Sequence, residues 1–123
     1  MALTKAPEEL LDKDLTSALT ITTADNTTQL TLKSTDADSS VGPILDLQRD
    51  SASPADSDSI GLIRFLAEND LYSAQTYARI GGTIQDASDG TEDGILFINT
   101  ITGGANRSRV EIDGTETVFN EAS

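Results

Sequence analysis

The sequence predicts an all-β protein, a small antiparallel β-sandwich or barrel-like knob with an extended N-terminal arm. Three observations lead there. Two apolar runs of strand length, Ser59–Glu68 and Gln75–Ile84, flank a short polar break at Asn69–Ala74, the pattern of an antiparallel hairpin. Turn-forming residues then recur at short intervals, in Asp86–Gly94, Gly103–Asn106 and Asp113-Gly114. Between them lie further β-type runs, Ile95–Thr102, Arg107–Ile112 and a short one around Val118-Phe119. The expected architecture is a meander of about five main strands.

The chain divides by composition into residues 1–40, an N-terminal arm with a short β-hairpin, and residues 41–123, the β-knob. In the arm, Pro7-Glu8-Glu9 suits the first turn of a short helix, with its carboxylates at the positive end of the dipole. So short a helix is marginal alone, so Leu3, Leu10, Leu11 and Leu15 are read as apolar side chains that order only against a partner. The alternative is a frayed terminus. In Thr16–Ser34, Leu19 and Ile21 alternate with polar residues, Asp25-Asn26 supply a turn, and Leu30 and Leu32 alternate again. That is a polar-faced hairpin or two short strands. Thr35–Ser40 is a linker, and Ile44–Arg49 a short strand before the polar loop Asp50–Asp58.

The central strand is apolar on both sides. Strict alternation puts Ile60, Leu62 and Leu66 on one face and Ile63, Phe65 and Ala67 on the other. Both faces need cover, one from a second sheet and one from a neighbouring subunit, which makes Ile60, Leu62 and Leu66 a candidate trimer interface. Gly81-Gly82 inside a strand pattern indicates a bulge or a close backbone approach.

Composition narrows the function. Among 123 residues there are 21 acidic and 8 basic side chains, a net charge of −13. Phosphate backbones and anionic lipid repel such a chain, so neither nucleic acid nor a membrane is an expected partner. With aromatics at 4% and no Trp, the core rests on Ile, Leu and Val and is thin, which favours oligomerisation. The chain has no Cys, no run approaching the ~20 apolar residues of a membrane span, and no apolar segment of signal-peptide type at its start.

Catalysis is not expected. Without His or Cys, Ser-His and Cys-His machinery is excluded. Asp86, Asp89, Glu92 and Asp93 form the one dense acidic cluster. On an exposed turn they lack the apolar wall that makes a carboxyl a proton donor. Their spacing also departs from a calcium loop, so neither a metal nor a cofactor is expected. The five Arg residues, Arg49, Arg64, Arg79, Arg107 and Arg109, fall in or beside strands and are read as pairing across strands or subunits, with Asp46, Glu68 and Glu111 as candidate partners.

Several stretches carry a family resemblance: Gly42-Pro-Ile-Leu-Asp-Leu-Gln-Arg-Asp and its continuation to Phe65, Tyr77-Ala-Arg-Ile, Asp89-Gly-Thr-Glu-Asp-Gly-Ile-Leu, Arg109-Val-Glu-Ile-Asp-Gly and Val118-Phe-Asn. Together, over roughly residues 41–120, they resemble a module of virion structural proteins in tailed bacteriophages, especially phages of cyanobacteria and other aquatic bacteria. The resemblance implies a trimeric β-knob on the virion surface, often within tail-fibre-like proteins. Here no long shaft precedes the knob and no receptor-binding domain follows it, and the loop Asn69-Asp-Leu-Tyr-Ser replaces one richer in Gly. The expectation is therefore a homotrimeric capsid decoration (cement) protein that stabilises the head shell by binding the major capsid protein or another virion protein. The alternative is a tail, collar or fibre component that helps the virion attach to its host. A glycan-binding adhesin is a third reading, from a different class.

Overall fold

A computed structural model describes residues 18–120 of the chain, which divides between Ile44 and Leu45 into two units. The arm residues Leu3, Leu10, Leu11 and Leu15 lie outside the described residues.

Residues 18–44 form no strand, so the hairpin expected in Thr16–Ser34 is absent from its described part. A two-stranded ribbon is marginal without a third strand or a packed face, and its four apolar side chains offer neither. What survives is the turn. The Asp25 carboxylate accepts from Thr27 N at 2.9 Å, and Gln29 Nε2 donates to Thr23 Oγ1 at 2.9 Å. The linker is a run of similar short-range turns, in which Ser34, Asp36 and Asp38 each accept the backbone N–H two residues on.

The second unit is one open antiparallel sheet of five strands in sequence order: β1 (Ser59–Glu68), β2 (Ala74–Asp86), β3 (Asp93–Thr102), β4 (Ala105–Ile112) and β5 (Thr117–Phe119). The all-β antiparallel class and the meander order are those read from the sequence. The sheet neither closes into a barrel nor meets a second sheet within residues 45–120. The short strand expected at Ile44–Arg49 is instead irregular chain. Arg49 ties that chain down, donating Nη1 to Ser59 O at 3.0 Å and pairing with Asp58 Oδ1 at 3.2 Å.

Each turn has a local cause. At β1–β2, Asn69 Oδ1 accepts from Leu71 N and Ser73 N, both at 3.0 Å, and Tyr72 adopts a left-handed φ of 58°. At β3–β4, Gly103 and Gly104 both have positive φ, 57° and 77°, which matches the right-handed twist of a two-residue hairpin turn. At β4–β5, Asp113 Oδ1 accepts from Thr115 N, Thr115 Oγ1 and Glu116 N at 2.7 to 2.8 Å.

The register slips by one residue at four places, leaving Ile60, Tyr77, Gln85 and Arg109 as extra residues in their strands. These bulges decide which side chains share a face.

Candidate functional site

The two faces of the sheet are the candidate site, and the register builds them row by row. Residues paired across antiparallel strands project to the same side. Ile63, Ile80, Ile98, Val110 and Phe119 are paired in succession from β1 to β5, an unbroken apolar row across the sheet. Beside it run Gly61–Gly82–Leu96–Ile112 and Phe65–Ala78–Thr100. This isoleucine face holds an apolar depression of ≈ 260 Å³ lined by Leu47, Ile60, Ile63, Ile80 and Leu96, with glycines at its floor. Leu47 leans on Gly61, its Cβ 3.1 Å from where a side chain would begin there.

The opposite face carries Leu62–Gly81–Phe97–Glu111–Val118, and beside that row Arg64–Arg79–Asn99–Ser108. On this arginine face Leu62 and Phe97 close over Gly81, where a Cβ would lie 2.5 Å from each and 3.0 Å from Gly61 O. The sequence expectation of a close approach at Gly81-Gly82 is met at Gly81.

The three residues proposed as a trimer interface do not share a face. The bulge at Ile60 turns it toward Gly82, whose Cβ position lies 3.8 Å from Ile60 Cδ1, while Leu62 packs against Gly81 on the other side. Strict alternation had put Ile60 beside Leu62 and Leu66, but the extra residue resets the parity. All three remain exposed, at 40%, 38% and 53%.

That exposure is general: among the described residues no apolar side chain is buried, and Ile63, Phe65, Leu96, Ile112 and Phe119 are all at least 39% exposed. A sheet normally hides one face at least. This one, within its own unit, hides neither.

Polar order is concentrated on the arginine face. Asn99 is only 7% exposed. With its amide oriented to satisfy both ends, Asn99 Oδ1 accepts from Arg79 Nε at 3.2 Å, Arg79 Nη2 at 3.0 Å and Asn106 Nδ2 at 3.2 Å, while its NH₂ donates to Ile98 O at 3.1 Å. The Arg79 guanidinium also lies over the Phe97 ring, 5.4 Å from its centroid. Ser108 Oγ, at the end of the row, is buried without a hydrogen-bond partner. Of the expected Arg partners, Asp46, Glu68 and Glu111 form no ion pair among the described residues; Arg49 pairs with Asp58, and Arg109 Nε donates to Thr100 Oγ1 at 2.8 Å.

The acidic loop is organised by its own backbone. Asp86 Oδ1 accepts from Ser88 N at 2.8 Å, and the Ser88 hydrogen bonds hold its carboxyl below the ordinary value. Among the described residues no group of three or more acids is placed to hold a metal ion.

No family model, curated protein or solved structure matches the chain.

Proposed function

We propose that the protein is a non-enzymatic virion structural protein, a homotrimeric capsid decoration protein whose sheets cover one another and whose N-terminal arm grips the shell. One observation carries the self-association: an apolar row from Ile63 to Phe119 crosses an open sheet that has no second layer among the described residues of its own unit. Five strands of 10, 13, 10, 8 and 3 residues, about 4.8 Å apart and rising about 3.3 Å per residue, present roughly 700 Å² per face. A stable protein–protein interface needs about 800 Å² per partner. The sheet is thus the right size to be one side of an interface, and each Ile, Leu or Phe fully covered contributes roughly 1.5–3 kcal/mol.

Three copies around an axis meet through different patches of each chain, which suits a sheet with two unlike faces. The virion and capsid parts of the reading rest on the sequence resemblance. Deleting residues 1–15 tests the arm: the truncated protein is expected to remain a folded trimer and to stop co-sedimenting with capsids. Normal decoration by the truncated protein would place the contact on the knob and overturn the arm's role. Labelling confined to the tail of intact virions would move the protein to the tail, collar or fibre reading.

A further inference from the structure

Arg64 and Arg79 are paired directly across β1 and β2 and project from the same face. Like charges so placed oppose strand pairing. Among the described residues neither has a carboxylate within 4.0 Å, in a chain with 21 acidic side chains and a net charge of −13. The bulge at Tyr77 is what brings them together; without that extra residue Arg64 would face Ala78.

Arg79 is also held in place. Arg79 gives Nε and Nη2 to Asn99, a nearly buried amide that is itself fixed by Ile98 O and Asn106, and its guanidinium rests over Phe97. Holding a guanidinium by one edge leaves its remaining N–H groups aimed away from the anchor, the arrangement that receives a carboxylate in fixed geometry. Leu62 and Phe97 beside it are apolar, so whatever covers this face also removes water and strengthens the charge pairing.

We propose that Arg64 and Arg79, backed by Asn99, form a carboxylate socket filled by an acidic side chain from a neighbouring copy of this chain. The inference rests on the trimer reading and assigns one of its contacts. Charge selects the occupant. The surface of another copy is dense in Asp and Glu, and a three-fold interface joins unlike patches, so the socket meets acids instead of a second pair of arginines. The partner carboxylate also offsets the repulsion between the two guanidiniums, which no carboxylate among the described residues is close enough to pair with.

The test uses the full-length chain with Arg64→Gln, Arg79→Gln and the double substitution, measured by light scattering across a dilution series. Far-ultraviolet circular dichroism at high protein concentration checks folding. The double variant is expected to keep the wild-type spectrum and to dissociate at a concentration about tenfold higher or more. Wild-type dissociation is expected to become easier with added salt, and that dependence to weaken in the double variant. Should the double variant fold poorly, Arg64→Gln carries the test, since Arg64 is exposed and not engaged by Asn99. A variant trimer as stable as the wild type overturns the socket and leaves the trimer standing. An intact variant trimer that no longer binds capsids moves the occupant to the capsid surface and overturns a second copy. A monomeric wild type overturns the trimer reading and this occupant with it.

Discussion

At the residue scale, Gly81 is the position where the sheet tolerates least. A Cβ there would meet Leu62 Cδ2 and Phe97 Cζ at 2.5 Å and Gly61 O at 3.0 Å. The two side-chain ends can swing aside, but the carbonyl belongs to the paired strand and moves only with it. Gly81→Ala is therefore expected to destabilise the fold by about 1–3 kcal/mol, read from the urea midpoint at fixed protein concentration. An unchanged midpoint would mean that Leu62 and Phe97 repack without strain. Gly82, with nothing closer than 3.8 Å, marks the contrast. The paired glycines were visible in the sequence as a place of close approach, but which of them mattered depended on the register, which pairs Gly81 with Leu62 and Phe97.

At the scale of elements, the strands of the meander were legible and the register was not. Runs such as Ile95–Thr102 and Arg107–Ile112, punctuated by Gly103-Gly104 and Asp113-Gly114, name strands through composition and turn chemistry alone. A one-residue bulge leaves no comparable mark, yet each one reverses the parity beyond it; Ile60 and the Arg64–Arg79 pair were illegible for that reason. The expected hairpin in Thr16–Ser34 failed on the other side of the same balance, since alternation without enough apolar surface does not make a sheet. The turn that holds the short β5 can be tested through pH. Backbone hydrogen bonds from Thr115 and Glu116, and the Thr115 hydroxyl, hold the Asp113 carboxyl below its ordinary 3.8. A depressed folded-state value adds stability that is fully present above the unfolded value and is lost as pH falls through the folded one. The wild type is expected to lose stability below about pH 4. Asp113→Asn, which cannot titrate, is expected to be less stable at neutral pH and to show a shallower decline with acid. Urea midpoints between about pH 2 and 7 check this, and parallel curves for the two proteins would show that the turn contributes nothing to acid sensitivity.

At the scale of the whole molecule, the sheet leaves apolar side chains exposed on both faces. Face size, the unbroken row from Ile63 to Phe119, and two arginines with no carboxylate in reach among the described residues all point to cover from outside the unit. The sequence already hinted at this through a central strand with apolar residues of both parities. It could not show that the second sheet, expected within the chain, is absent from residues 45–120. Repulsion between acidic chains works against assembly, so the apolar row has to outweigh it. The decisive measurement is the mass of the full-length protein by size-exclusion chromatography coupled to light scattering, at micromolar concentration and near-physiological salt. A single particle of three times the 13.0 kDa chain mass is expected. A stable, soluble monomer at that concentration would contradict it.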